Sequence, residues 1–367
     1  MVASKDYFSL YFHIPFCLKK CSYCDFVSYV GKEKLINRYV EVLLEEMDGM
    51  SGLGQGGKLK TIYFGGGTPT LLQVKHFERI FAATVKCFAS NLEDLEITAE
   101  ANPGTADKAK LKALKELGVN RLSIGVQSFN NRHLKNLGRI HSSSEIFRIC
   151  EDACTAGFEN VNLDLIFALP GQTLEEWQKD LCLALSLKPR HISTYNLQLE
   201  ENTPLWKRRK FLQFPSEEEE LAMYEYAIET LTAAGYRHYE ISNFAHPGYE
   251  CQHNLNYWKN GNYLGLGAGA HSHWDGKRWA NTDTLESYLR MADGEGRKRE
   301  NLTDVAGRET IMLGLRLLEG LPEEKFKGFE REVEELISDQ LLARENGYLR
   351  LTRKGLYLGN LVFEKFV

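Results

Sequence analysis

The chain has 367 residues, of which 43% are hydrophobic and 26% charged, with a formal net charge of -5. That is a soluble globular mix, long enough for two or three domains or for one large barrel with an appendage. The balance demands neither nucleic acid nor an anionic membrane as an obligatory partner, and no run of 18 apolar residues predicts a membrane span.

The N-terminus, "MVASKDYFSLYFHIPFC", lacks the basic and apolar regions of a secretion signal. With eight cysteines and no signal, a reducing compartment is expected, the cytosol by default, without a disulfide framework.

From residue 10 short β-rich runs alternate with amphipathic stretches. The predicted strands are 9–14, 60–66, 95–101, 121–128, 160–170 and 191–199. Between them, residues 32–47 place apolar side chains at 35, 36, 39, 40, 43, 44 and 47, a helical spacing. "DKAKLKALKELG" opens on an Asp cap and ends at Gly118. "SEEEE" at 216–220 reads as the acidic, solvated start of a helix. Six such units predict a parallel sheet with its ligand chemistry at the C-terminal strand ends.

After residue 236 the rhythm breaks into a stretch rich in Gly, His and aromatics. "YLGLGAGAHSH" at 263–273 lacks the strand-then-helix context of a dinucleotide site and is expected to shape a loop. From 301, two helical stretches lead into "GYLRLTRKG", the order of a winged helix. Residues 301–367 carry 10 basic against 12 acidic residues, which speaks against a nucleic-acid-binding wing. The expected divisions are 1–235, 236–300 and 301–367.

Cys17, Cys21 and Cys24 fall within eight residues directly after the first strand. A thiol-disulfide motif needs only two cysteines, and structural zinc wants four ligands, often as two separated pairs. Three crowded thiolates suit an iron-sulfur cluster better, and on a four-iron cluster they leave one iron open. Three glycines in "FGGGTPT" at 64–70 allow close approach of a ligand to backbone N–H and C=O groups. Glu100 ends the third predicted strand and Gln127 the fourth, Asp164 lies within the fifth, and Arg139 follows in "NLGRIHS". Carboxylates suit ribose hydroxyls or an amino group, and an arginine suits a carboxylate.

C-x3-C-x2-C after a first strand, with Tyr23 just before the last cysteine, resembles the signature of the radical S-adenosylmethionine (SAM) superfamily. The resemblance implies a [4Fe-4S] cluster on Cys17, Cys21 and Cys24 whose open iron chelates the methionine moiety of SAM. "YFHIPFC", "FGGGTPT", "RLSIGVQSF" and "NLDLIFALPGQT" are similar to the oxygen-independent coproporphyrinogen III oxidase family and its close relatives, from about residue 8 onward. That resemblance implies an α/β fold, an incomplete (β/α)6 barrel followed by a smaller C-terminal α+β domain. It implies SAM contacts at Tyr11, Gly66, Gly67, Thr68, Glu100, Gln127, Arg139 and Asp164, with Tyr23 against the cluster.

The oxidases carry a fourth cysteine where this chain has Phe26, and they carry a longer segment ahead of the first. The sister group of heme chaperones, HemW, reads C-x3-C-x2-C-x-F and shares H-N-x-x-Y-W, here "HNLNYW" from His253 to Trp258. That resemblance implies a heme-binding chaperone without coproporphyrinogen oxidase activity. It would pass heme to a membrane-associated protein, with transient membrane association and dimer formation as further expectations. A neutral imidazole ligates heme iron, so His253 is the candidate heme residue, with Tyr257 and Trp258 as porphyrin-packing aromatics. A structural role for His253 and an axial role for Cys251 stay open, with His246, His271 and His273 nearby in sequence. The alternative function is oxidative decarboxylation of coproporphyrinogen III.

Overall fold

The computed structural model describes residues 7–366 except 55, 89, 291–299 and 303–306. The six expected strands form β1 (Tyr7–Ile14), β2 (Lys58–Gly66), β3 (Glu96–Ala101), β4 (Arg121–Gln127), β5 (Asn160–Phe167) and β6 (His191–Asn196). They pair in parallel in chain order. Six further strands extend the sheet: β7 (Arg237–Glu240), β8 (Asn243–Ala245), β9 (Asn262–Leu266), β10 (His271–Trp274), β11 (Lys277–Ala280) and β12 (Glu300–Leu302). The order is β12-β11-β10-β9-β1-β2-β3-β4-β5-β6-β8-β7, an open sheet and thus an incomplete barrel. β9 runs parallel to β1, so "YLGL" is strand rather than loop.

Away from register shifts at Phe8/Ser9 and Gly125/Gln127, the barrel strands alternate. Leu10, Phe12, Ile62, Phe64, Ile97, Leu122, Ile124, Leu163, Leu165 and Ile192 turn outward into one buried core under the helices. Phe64 there packs on Phe77 and Phe81 of the helix Val74–Phe88. The intervening positions, Tyr63, Thr98, Glu100, Ser123, Asn162, Asp164, His191 and Ser193, are polar and point into the barrel.

The intervening helices follow their caps. Asp107 accepts from the Lys110 N–H at 2.9 Å. Ser216 forms a capping box with Glu219 at the head of the acidic helix 217–233. The helix expected from residue 32 begins at Ile36, after a single 3-10 turn. The C-terminal part holds its own core around Leu315, Phe326, Leu349 and Phe366, carries a three-stranded antiparallel sheet and ends in short helical turns. The boundary expected at 300/301 adjoins 291–299 and 303–306, outside the described residues.

Candidate functional site

Cys17 closes a two-residue parallel bridge with Tyr29–Val30, which pinches residues 18–28 into a loop at the mouth of the barrel. The loop is pinned on both flanks. The Ser22 N–H donates to Leu137 O at 2.8 Å, and the Leu205 N–H donates to Ser22 O at 2.8 Å. Inside it the Cys24 N–H donates to Cys21 O, and the Lys20 ammonium holds Phe26 O at 3.0 Å.

Below the loop opens a cavity of about 420 Å³, lined by Cys17, Cys21, Cys24, Tyr23 and the strand ends. Gly66, Gly67, Thr68, Glu100, Gln127, Arg139 and Asp164 all face it. Among the described residues no three His, Cys, Asp or Glu side chains gather around a single metal ion. A mononuclear site asks for such convergence. A cubane cluster does not, since each thiolate binds its own iron. Three thiols lining one cavity therefore fit a [4Fe-4S] cluster as a donor set.

The glycine run is built for contact. Gly66 has φ +104, and a Cβ there would stand 2.4 Å from the His13 ring. That ring cannot retreat, because Nδ1 meets the Tyr11 hydroxyl at 3.0 Å and Nε2 meets Val27 O at 2.8 Å. The N–H groups expected to meet a ligand are already used. Gly66 donates to Glu100 Oε2, Gly67 to Ile14 O and Thr68 to Phe16 O. What this edge offers is carbonyl oxygens with spare lone pairs, and these suit an ammonium group.

Glu100 also accepts from the Tyr63 hydroxyl at 2.9 Å. Burial, then the nearby Asp164 charge, pushes its carboxyl up to about 7. Asp164 accepts from Ser123 at 2.9 Å and Asn162 at 2.8 Å, and burial raises it as well. Gln127 has φ +66 at a register shift in β4, a bulge that turns its side chain into the cavity. Arg139 donates to Asn102 Oδ1 and to Gly125 O, and its Nη1 lies 3.5 Å from Cys21 Sγ.

Two expected residues are not brought to the cavity. Tyr11 lies behind Tyr63, their rings stacked at 6.2 Å, and Tyr63 forms the wall in its place. His253 is only 1% exposed. Its Nδ1 lies 2.7 Å from Thr61 Oγ1, whose proton goes to Ser9, so Nδ1 donates. Its Nε2 then accepts from the Tyr257 hydroxyl at 2.9 Å. Burial pushes the imidazole down to about 3. Neither nitrogen is left for iron. Trp258 packs under the Arg316 guanidinium, and Cys251 is fully buried beside Glu96, so the motif around "HNLNYW" holds the barrel wall together. None of His246, Cys251, His271 and His273 lines the cavity.

Residues missed in the sequence complete the wall: Tyr63, Asn102, Ser123, Tyr195 and His141. Asn102 links Thr68 Oγ1 to Arg139. For the residues on or beside strands the signal was the period-2 register with Glu100 and Asp164, whereas His141, in the loop after Arg139, had none.

Known proteins agree with this architecture. Residues 11–183 match the radical SAM superfamily and residues 303–358 the HemN C-terminal domain. The chain is similar over 98% of its length to proteins named heme chaperone HemW. It is 42% identical to that of Lactococcus lactis (97% of that protein) and 40% identical to that of Escherichia coli (98%). The structure superposes on coproporphyrinogen III oxidase (HemN) from Escherichia coli with a TM-score of 0.85, at 26% identity, covering 98% of this chain and 89% of the other. With full-length relatives at this identity, the chain belongs to the HemW heme-chaperone family of radical SAM proteins.

Proposed function

We propose that the chain binds a [4Fe-4S] cluster through Cys17, Cys21 and Cys24, binds SAM in the adjoining cavity, and carries heme to a membrane-associated hemoprotein. The observation that carries this is the gathering of three thiols, two half-buried carboxylates and Arg139 around one cavity. The cluster and SAM together supply one-electron chemistry when bound. The chain's own residues orient the nucleoside: carbonyls of Gly66 and Gly67 take the ammonium, Arg139 the carboxylate, Glu100 and Asp164 the ribose hydroxyls, and Gln127 and Thr68 the remaining polar edge. Tyr23 packs against the cluster. The divisions at 235/236 and 300/301 separate this machinery from the region carrying "HNLNYW" and from a covering C-terminal part. Partners are heme, the receiving protein and, in dimer form, a second copy. Among the described residues no helix is long and apolar enough to cross a membrane.

The second reading, coproporphyrinogen III oxidation, draws on the superposition with HemN. Phe26 in place of a fourth cysteine opposes it. Anaerobic reconstitution followed by SAM, heme and coproporphyrinogen III separates the two. Stable heme binding without vinyl formation is expected, whereas protoporphyrinogen production sinks the chaperone reading. Converting the three cysteines to Ala is expected to abolish cluster absorbance.

A further inference from the structure

We propose that the heme seat is the open rim of the cavity. The tetrapyrrole face rests on Phe26, Leu18 and Ile140, and its carboxylates turn toward Lys19 and Lys20. This deepens the function proposed above and rests on it.

Phe26 is 62% exposed, Ile140 56% and Leu18 46%, and all three line the same cavity mouth. Single exposed apolar residues are ordinary, but three converging on one rim form a patch that asks for an apolar partner. They come from two separate segments, held together by the Ser22 bonds to Leu137 O and Asn136 O. The backbone beneath Phe26 is fixed by Lys20 at 3.0 Å and Ser28 at 3.2 Å on its carbonyl, while the ring stays open to solvent. The platform is therefore preorganised, which lowers the ordering cost of binding.

Charge completes the match. Lys19 and Lys20 stand on the same rim, and Lys20 spends one of its three N–H groups on Phe26 O. A flat apolar disc with two carboxylates on one edge pairs with such a rim. The seat commits to a carboxylated tetrapyrrole rather than a peptide, because three exposed apolar side chains and two lysines share one rim. It also replaces His253, whose ring nitrogens are both occupied. A ligand held by apolar contact and edge charge, without a strong imidazole bond, can lift off an open rim onto a receiver.

The test titrates ferric heme into the anaerobically reconstituted full chain and follows the Soret band. Phe26→Ser with Ile140→Ser is expected to weaken binding on the order of tenfold or more. Ile140→Ser alone, outside the cysteine loop, is expected to weaken it several-fold with cluster absorbance intact. Lys19→Glu is expected to weaken heme but not heme dimethyl ester. Phe211→Ser is the control, since Phe211 is 88% exposed and does not line the cavity. Equal binding by wild type and the rim variants overturns the seat while leaving the chaperone reading in place, as does a loss in Phe211→Ser that matches theirs. A cluster-loaded wild type that binds no heme overturns both.

Discussion

Glu100 is the residue at which charge, burial and site coincide. It lies among Asp164, Tyr63 and the Gly66 amide, and burial is the largest reason its carboxyl is pushed up to about 7 from 4.5. A carboxyl raised in the folded state stabilises the fold when neutral. That stability is fully present below pH 4.5 and is lost as pH rises through 7. The ligand-free wild type should therefore lose on the order of 3 kcal/mol through this group by pH 8. Glu240, pushed up to about 7, and Asp180, to about 6, titrate in the same window, so the raw pH profile does not single out Glu100. The difference between wild type and Glu100→Gln does. The variant should hold its melting temperature better from pH 4.5 to 7.5, and parallel curves would refute the assignment. SAM binding should fall in the same variant, because an amide replaces an acceptor-only carboxylate with a mixed donor and acceptor.

At the scale of elements the glycine-rich β9 turn is the instructive case. Gly267 sits at φ +106, and a Cβ there would meet the Tyr39 hydroxyl at 2.4 Å and His13 O at 2.6 Å. Its N–H donates to buried Glu46 at 2.9 Å, and Ala268 donates to Tyr39. The turn thus presses β9 onto the first strand and the residues that brace the cysteine loop. Gly267→Ala should cost about 2–4 kcal/mol in urea unfolding, combining the left-handed backbone with overpacking. Gly248→Ala, also at positive φ but facing open space, should cost only about 1 kcal/mol. The six barrel strands and the cysteine loop were legible because hydrophobic alternation and local spacing are written within ten residues. β9 was not, since glycines remove the alternation and only the neighbour across the sheet makes it a strand. The same holds for His253: its sequence neighbourhood reads as a ligand, and only Thr61 and Tyr257, one of them 192 residues distant, show its nitrogens occupied. Tyr63 and Asn102 escaped for a third reason, as polar residues one register step from positions chosen by resemblance.

For the whole molecule the question is what joins the barrel to its C-terminal part. Glu240 at the end of β7 pairs with Leu317 as a single antiparallel bridge, and the flanking backbone bonds run from Ile241 to Arg316 and from Leu318 to Tyr239. Arg316 stands at the centre, its guanidinium 5.0 Å from the Trp258 ring and 5.3 Å from the Phe363 ring. Three parts of the chain meet on that one cation: the sheet edge, the "HNLNYW" helix and the C-terminal core. Glu240 is 2% exposed, and burial raises its carboxyl, against which the Asn243 side-chain hydrogen bond and then the Arg316 charge draw it down. Removing the cation as Arg316→Ala strands that carboxylate, at a cost on the order of 3 kcal/mol. The loss should be larger at pH 8 than at pH 5, because at the lower pH Glu240 escapes by taking a proton. Arg316→Met combined with Glu240→Gln should recover most of it, since the cavity is refilled and no charge is left alone. Arg353, which pairs with Glu229 at 3.0 Å on the same seam, is the contrast. Both partners are at least half exposed, so Arg353→Ala should change stability by less than about 1 kcal/mol. Urea unfolding of the full chain at both pH values decides between a seam held by one half-buried cation and one held by surface pairs. Equal losses in the two arginine variants, or a pH-independent loss in Arg316→Ala, would show that Glu240 is not what Arg316 serves.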